Sequence, residues 1–355
     1  MTAGHIDATD SVVADLLAGI LELLADSGGW LHPDARLVER DGHLSLSCTA
    51  ADGEPLVRVP HRAMVPVGRI AWSVEPEALA FDALPDDFDE RACELAYVQV
   101  ALLNRCGKIP SLHQSHPLLA PLSPRLIESI RAFRPSFRTE PIDPASLLWS
   151  TRCFRLTIGA SAPEPVAIPV VDLLDHHCDG ATGVGRHDAF EVAIRRPRGD
   201  QACFLDYGWR RDAIGMAVVY GFADASADIA HSAPICLEEA STGQINVLAK
   251  GRDAAGHLVP MQATASASGI TISHVDFGAG CDPVRELMGA TGWDTTRAGT
   301  VIEAIAAANL ALLEDLHLAA MTDRGPAPTI MADAAVRQAE VIRTFPEHVG
   351  DGSLT

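Results

Sequence analysis

The sequence is poor in lysine, in tyrosine and in positive charge. Among its 355 residues, 27 are lysine or arginine and 47 are aspartate or glutamate, so the formal net charge is −20. Its lysines are Lys108 and Lys250, and its tyrosines are Tyr97, Tyr207 and Tyr220. Such an acidic chain repels phosphate backbones, so we do not expect nucleic-acid binding. The charge would suit a basic peptide or a cationic small molecule, although solubility alone also explains it.

Paired cysteines and long apolar runs are missing as well. The eight cysteines are scattered without a C-x-x-C pair, which argues against a zinc ribbon and against a disulfide framework. No segment approaches about 18 uninterrupted apolar residues, and no basic region leads into an apolar run at the N-terminus. We therefore expect a cytoplasmic protein without membrane contact. Hydrophobic residues make up 48% of the chain, which is typical of a folded protein with a sizeable core.

Helical periodicity is clearest near the N-terminus and in the last third of the chain. Residues 10–26 repeat apolar residues at helical spacing, with Asp10 or Ser11 as the cap and Gly28-Gly29 as the stop. Residues 87–105 begin with acids and end with a basic residue, as the helix dipole favours. The pattern also predicts helices over 125–133, 300–320 and 331–345, with a break at 324–328.

Alternating apolar and polar residues predict short strands in two regions. Leu44, Leu46 and Cys48 alternate with serines, and Val57 and Val59 alternate before Pro60 ends the strand. Strands return between residues 232 and 277, with the clearest over 245–249 and 269–275. The intervening region 66–150 reads as mainly helical.

Side chains suited to catalysis or to ligand binding concentrate between Ile168 and Phe222. An apolar run leads into a group of polar residues that fall within seven positions: Asp172, Asp175, His176, His177 and Cys178. The segment CFLDYGW then brings Tyr207, and the strand-like run AVVYGF brings Tyr220 and Phe222.

The order of these motifs resembles the SET-domain methyltransferases, in particular the branch typified by the plant Rubisco large-subunit lysine methyltransferase and the actin-histidine methyltransferase. That branch carries D-x-x-N-H after an apolar strand, a strand ending in Tyr-Gly, then N-A and Y-G-F. The corresponding motifs here are Asp172-Leu-Leu-Asp175-His176, Tyr207-Gly208, Asp212-Ala213 and Tyr220-Gly221-Phe222. Upstream, Thr151-Arg152 is similar to the family's [ST]-R pair, and Gly53-Glu54-Pro55-Leu56 to its early G-E-x-L strand.

The resemblance implies an α+β fold: a β-rich SET-domain core with a helical insert and a mostly helical C-terminal domain. The implied divisions are 1–75 for the N-terminal helix and first part of the core, 76–150 for the insert, 151–230 for the second part of the core, and 231–355 for a substrate-binding-like domain. The implied activity is S-adenosylmethionine-dependent methyl transfer to nitrogen. The acceptor would be a protein lysine or histidine, or a small amine.

The resemblance also implies roles for six residues. Tyr207 corresponds to the family's catalytic tyrosine. Five others correspond to its cofactor-binding residues: Arg152, Asp175, His176, Tyr220 and Phe222. Each has a purely structural alternative, such as a tyrosine hydroxyl paired with the backbone, a hydrogen-bonded core histidine, or an arginine in an ion pair.

Two motifs depart from the family pattern. Asp175 stands where the family has asparagine, and an ionised carboxylate only accepts hydrogen bonds, whereas an amide also donates them. Asp41-Gly42-His43-Leu44 stands near the N-terminal strands, where the family has G-x-G against the cofactor.

The same residues leave two other hypotheses open. Asp175, His176, His177 and His187 include the two histidines and a carboxylate that hold non-haem iron, so a repurposed SET fold could bind a metal and act on a small molecule. Adjacent residues of a regular strand point to opposite faces of the sheet. His176 and His177 could therefore bind the same ion only if they lie in a loop. The third hypothesis is a SET-like binding protein without catalysis.

Overall fold

The computed structural model describes residues 5–138, 140–157, 162–197, 201–208, 211–240, 242–249 and 261–349. Helices and short strands alternate along these residues, which confirms the α+β prediction. The helices are α1 (Ser11–Asp26), α2 (Glu90–Arg105), α3 (Lys108–Ser115), α4 (Pro124–Phe133), α5 (Pro144–Ser150), α6 (Ala213–Tyr220), α7 (Pro283–Thr291), α8 (Thr295–Thr322) and α9 (Pro326–Val349).

The strands are short, and most belong to small separate sheets. They are β1 (Ile6–Ala8), β2 (Trp30–Leu31), β3 (Ala35–Arg40), β4 (His43–Cys48), β5 (Pro55–Pro60), β6 (Ala71–Val74), β7 (Leu79–Ala83), β8 (Cys153–Leu156), β9 (Glu164–Ala167), β10 (Asp175–Ala181), β11 (Val184–Gly185), β12 (Ala189–Ala193), β13 (Phe204–Leu205), β14 (Ile229–His231), β15 (Ile235–Glu239), β16 (Gly243–Val247), β17 (Ala263–Ser266), β18 (Gly269–Ile272) and β19 (Asp276–Gly278).

The chain folds into two compact units, each made of two chain segments. Unit 1 comprises residues 1–113 and 142–209, and unit 2 comprises residues 114–141 and 210–355. This division differs from the predicted boundaries after residues 75, 150 and 230. The predicted helical insert is shared between both units, and the predicted C-terminal domain forms one unit with residues from the insert.

Unit 1 is built around two small sheets that carry the predicted N-terminal strands. One sheet has the order β1-β3-β4, and the other has the order β11-β12-β5-β2. The hairpins β6-β7 and β8-β9 and the parallel pair β10-β13 complete its strands. The predicted strands around Leu44 and Val57 are therefore confirmed as β4 and β5.

Helix α1 begins and ends close to where its sequence signals indicate. The carboxylate of Asp10 accepts a hydrogen bond from the N–H of Val12 at 2.8 Å, which caps the first turn. Leu17, Ile20 and Leu24 are buried on one face, and the helix packs against α2. Local capping and apolar periodicity thus agree with tertiary packing along this helix.

The prediction of a mainly helical region over 66–150 is wrong at its start, where β6 and β7 form an antiparallel hairpin. Trp72 and Phe81 lie opposite each other, with their ring centroids 5.7 Å apart in an edge-to-face arrangement. The ring centroid of Trp149 lies 4.7 Å from that of Trp72. Cross-strand aromatic pairs of this kind stabilise two-stranded ribbons. The hairpin is followed by α2, as the sequence predicts.

Unit 2 combines helices α4 and α6–α9 with two sheets, β14-β19 and β15-β16-β18-β17. The strand-like reading of Ala217–Phe222 is wrong, because residues 213–220 form α6. The buried carboxylate of Asp212 caps this helix by accepting from the N–H of Gly215 at 2.7 Å. Gly221 ends it in the left-handed conformation, with φ of 75°. These two caps override the β preference of the apolar run between them.

Helix α8 is the longest element of unit 2. Its length and apolar composition would be enough to cross a membrane, but length and composition are weak grounds, because core helices also meet this criterion. Val301, Ile305, Leu313 and Leu316 are buried, and the helix packs against α4, α7 and α9. It forms the centre of the apolar core of this unit.

Candidate active site

The segment 201–207 is held between two strands that are far from it in sequence. The N–H of Cys203 donates to the carbonyl of Leu46 in β4 at 2.8 Å. On the other side β13 pairs in parallel with the start of β10, and further along the N–H of Asp206 donates to Ala181 at 2.9 Å. This double attachment brings Tyr207, which follows β13, next to His176 in β10.

Hydrogen bonds to two described residues help to fix the position of Tyr207. Its backbone N–H donates to Nδ1 of His176 at 3.1 Å, and its hydroxyl donates to the carbonyl of Leu174 at 2.5 Å. The two rings lie with their centroids 5.2 Å apart. Because Nδ1 of His176 accepts a hydrogen bond, the neutral imidazole carries its proton on Nε2. The hydroxyl proton of Tyr207 is directed at a backbone oxygen. Towards any other group, the phenolic oxygen of Tyr207 therefore acts as a hydrogen-bond acceptor.

The turn between β3 and β4 lies beside Asp175. Asp41 and Gly42 have φ of 51° and 77°, the left-handed pair of a two-residue hairpin turn. Nε2 of His43, the next residue, lies 3.3 Å from a carboxylate oxygen of Asp175. The stretch that departs from the family's G-x-G therefore contacts the residue that departs from the family's asparagine.

Arg152 and Lys108 bring positive charge to the same place. Nη1 of Arg152 donates to the backbone carbonyl of Asp172 at 3.2 Å. Nζ of Lys108 donates to the carbonyl of Gly42 at 2.9 Å. Sequence reasoning missed Lys108, which lies at the start of α3. Its rarity was the signal that could have found it, because this chain has only two lysines.

Partial burial shifts the ionisation of these groups. Burial raises the pKa of Asp172 to about 6 although Arg152 opposes the shift. Burial also raises the pKa of Asp175, against the attraction of His43, Lys108 and Arg152. The pKa of Lys108 is lowered by burial and by the charge of Arg152. The site therefore holds two cations and two carboxyl groups where water is partly excluded, and charges interact strongly there.

Tyr220 and Phe222 belong to unit 2, whereas the other predicted site residues belong to unit 1. Their ring centroids lie 6.2 Å apart at the end of α6. The guanidinium carbon of Arg211 lies 5.2 Å from the centroid of the Tyr220 ring. Their cofactor-binding role stays a prediction.

The set of possible metal ligands in the structure shares only His177 with the predicted set of Asp175, His176, His177 and His187. Within the described part of the chain, the ligand atoms that converge are those of His177, Cys178 and Asp179, all within 4.8 Å of one another. Asp175 and His176 contact His43 and Tyr207 instead, and His187 lies exposed on the loop before β12.

Comparison with known proteins gives a likeness in structure alone. No protein-family model matches the sequence, and no curated protein has a matching sequence. The structure is similar to the SET domain of LSMT bound to lysine and AdoHcy, with 11% identity, a TM-score of 0.46, and coverage of 94% of this chain and 91% of that chain. It is also similar to Rubisco LSMT bound to AdoMet, with 10% identity, a TM-score of 0.44 and the same coverage of both chains. A likeness of this size does not assign an activity.

Proposed function

We propose that unit 1 carries an S-adenosylmethionine-dependent N-methyltransferase site, whose acceptor is a protein lysine or histidine or a small amine. The observation that carries the proposal is the convergence of residues distant in sequence. Arg152, the Asp175-His176 pair and Tyr207 span more than fifty positions, yet their contacts connect them through one stretch, residues 172–176. That convergence is the one expected from the ordered motifs.

The donor set fits the proposed cofactor. Arg152 and Lys108 supply the positive charge that a carboxylate requires, and a guanidinium binds carboxylates through two parallel hydrogen bonds. Asp175 supplies a negative charge suited to a sulfonium cation. His176 can donate from Nε2 to a ring nitrogen or a hydroxyl. When bound, the cofactor supplies an electrophilic methyl group on sulfur.

Tyr207 is the residue we assign to orient the acceptor. Its hydroxyl proton is held by the carbonyl of Leu174, so the phenolic oxygen presents lone pairs. An oxygen in that state accepts an N–H from the acceptor amine and thereby turns the nitrogen lone pair towards its target. In-line displacement depends on such alignment, and holding the reacting atoms in line lowers the barrier substantially.

The first test is calorimetric titration of the purified protein with S-adenosylhomocysteine, which needs no acceptor. We expect a dissociation constant in the micromolar range. Methyl transfer from radiolabelled S-adenosylmethionine to lysine, histidine and simple amines would then identify the acceptor class. Binding without transfer to any acceptor would favour a non-catalytic SET-like protein. Absence of binding would refute the proposal.

The metal-dependent alternative is favoured by one observation, the convergence of His177, Cys178 and Asp179. Imidazole, thiolate and carboxylate are ligands that zinc and iron accept. Elemental analysis of the purified protein tests it directly. A stoichiometric metal that is lost in His177→Ala, together with no binding of S-adenosylhomocysteine, would replace the methyltransferase proposal with this one.

A further inference from the structure

Unit 1 has a cleft of about 740 Å³ at the end of β5 and the start of β12. Three of its ten lining residues are arginines and two are histidines: Arg58, Arg62, Arg186, His61 and His187. Asp188 is the single acidic residue among the ten. None of the residues assigned to the methyltransferase site lines this cleft.

The charge of this cleft is opposite to that of the chain. In a chain with 47 acidic residues and 27 lysines and arginines, five basic side chains around one cavity are not explained by general solubility. The volume lies within the range of small-molecule sites and exceeds what one inorganic ion requires.

Two of the arginines are held in an ion-pair network. Nη2 of Arg58 lies 2.7 Å from Asp188, and its Nε lies 3.3 Å from Glu191. Nε of Arg186 lies 2.9 Å from the other oxygen of Glu191. Two carboxylates therefore balance two guanidinium groups and fix them at the wall of the cleft.

Arg62 is the cation that this network does not balance. Its Nε donates to the backbone carbonyl of Ser27 at 2.7 Å. Within the described part of the chain, no carboxylate forms an ion pair with it. Gly28, with φ of 74°, lies so close to Arg62 that a Cβ there would be 3.1 Å from Nη2. One backbone hydrogen bond thus orients this exposed guanidinium, and no carboxylate of the described residues balances its charge.

His61 and His187 complete the basic lining of the cleft. His61 is half-buried, and His187 is exposed on the neighbouring loop. Burial and the nearby His187 lower the pKa of His61, while Asp188 opposes that shift. A bound anion would favour protonation of the His61 ring, since opposite charges stabilise each other at short range.

We propose that this cleft binds a small molecule that bears a multivalent oxyanion, either a phosphate ester or a polycarboxylate, with Arg62 as its principal ligand. Planar guanidinium groups match the geometry of phosphate and carboxylate oxygens, and fixed side chains lose little entropy on binding. The site is separate from the proposed methyltransferase site and does not depend on it.

The test is calorimetric titration of the full chain with pyrophosphate and with citrate at pH 7. We expect one of them to bind in the micromolar range. Arg62→Gln should weaken that binding about tenfold or more, the loss typical of a charge-assisted hydrogen bond. Preference for one probe would identify the class of ligand.

Arg36→Gln is the matched control, because Arg36 is exposed and, among the residues that the structure describes, bonds to backbone carbonyls. It should leave the dissociation constant unchanged. His187→Ala removes an imidazole from the lining of the cleft without touching a packed residue, and it should also weaken the binding. Absence of binding by both probes, or equal losses in Arg62→Gln and Arg36→Gln, would overturn the proposal. Affinity for S-adenosylhomocysteine should be the same in all three variants.

Discussion

At the scale of single residues, Tyr207 carries most of the proposed chemistry. Its backbone binds the ring of His176 and its hydroxyl binds the carbonyl of Leu174, so the side chain is structurally useful whether or not catalysis occurs. A structural role and a catalytic role of Tyr207 therefore predict the same geometry, and they are distinguished by the rate of methyl transfer.

Tyr207→Phe separates these two readings. The ring and its packing remain, while the oxygen that would orient the acceptor is lost. We expect kcat for methyl transfer to fall by about a hundredfold, as typically follows loss of a positioned hydrogen-bonding group. The dissociation constant for S-adenosylhomocysteine should stay within about twofold of that of the unaltered protein. Steady-state kinetics with calorimetry would measure both, and an unchanged kcat would remove Tyr207 from the mechanism.

Asp175→Asn tests the residue that departs from the family pattern. Asparagine would keep the shape and remove the negative charge, so the fold should persist and cofactor affinity should change. Because S-adenosylmethionine carries a sulfonium charge that S-adenosylhomocysteine lacks, we expect affinity for the first to fall relative to the second by several-fold. Calorimetry with both ligands measures that ratio. Asp34→Asn, at an exposed position, is the control, and equal ratios in the two variants would contradict the assignment.

At the scale of elements, the β3–β4 turn links the N-terminal strands to the candidate site. The carboxylate of Glu39, buried in β3, accepts from the N–H of Gly42 at 2.7 Å and from Thr9 and Asp10 at 3.0 and 3.1 Å. One side chain thus fixes the end of β1, the cap of α1 and the turn that positions His43. Its effect on the site is indirect, through the turn.

These hydrogen bonds to Gly42, Asp10 and Thr9 lower the pKa of Glu39 to about 2. Since the folded pKa is below the ordinary value of 4.5, the carboxylate stabilises the fold fully above pH 4.5, and this contribution is lost as the pH falls towards 2. We expect Glu39→Gln to lower the free energy of unfolding at pH 7 and to flatten its dependence on pH between 4.5 and 2. Urea titrations across this range measure it.

Glu22→Gln serves as the control for Glu39→Gln, because Glu22 is exposed on α1. It should keep both the stability and the pH dependence of the unaltered protein. Equal slopes for all three proteins below pH 4.5 would show that Glu39 does not have the assigned role.

At the scale of the whole molecule, each unit has its own apolar core and a buried carboxylate that joins several elements, which in unit 1 is Glu39. In unit 2 that carboxylate is Asp212, which is fully buried and accepts from Arg134 at 2.5 Å, from Gly215 at 2.7 Å and from the N–H of His231 at 3.3 Å. It joins α4, α6 and β14. Burial alone would raise the pKa of Asp212, but Arg134, His231 and the backbone donors lower it overall.

Asp212→Asn should therefore destabilise unit 2 severely. It leaves the charge of Arg134 without its partner, and breaking a buried ion pair in this way costs about 3 kcal/mol or more. Urea unfolding followed by tryptophan fluorescence and circular dichroism would measure the loss. Asp333→Asn, on the exposed face of α9, is the control and should change stability by less than about 0.5 kcal/mol. Equal stabilities of the two variants would contradict this role.

Much of the secondary structure could be predicted from local signals. Asp10, Asp89 and Ser123 cap helices that their sequence context indicates, and β4 and β5 follow their alternating patterns. Prediction failed where an apolar run gave no periodicity to decide between helix and strand. Residues 217–222 belong to that class, and the caps Asp212 and Gly221 decided the outcome.

The candidate site was predictable only where its residues lie in local sequence patterns. Ordered motifs identified Arg152, Asp175, His176 and Tyr207 because each lies in a recognisable local pattern. Lys108 lies in no such pattern, and His43 lies in the stretch that departs from the family's G-x-G. Both contribute because the β3–β4 turn folds beside β10 and α3. Tyr220 and Phe222 belong to unit 2 and the other predicted residues to unit 1, so their assignment to one site rests on the resemblance in the order of motifs.

By itself the sequence determined the helix caps, the strand alternation, the acidity and the order of motifs, because each of these is set by neighbours along the chain. Only the tertiary structure decided that segment 201–207 lies between β4 and β10, that His43 contacts Asp175, and that five basic side chains surround one cleft. Those facts depend on residues up to about 160 positions apart, and contact at that distance is fixed by packing and not by local propensity.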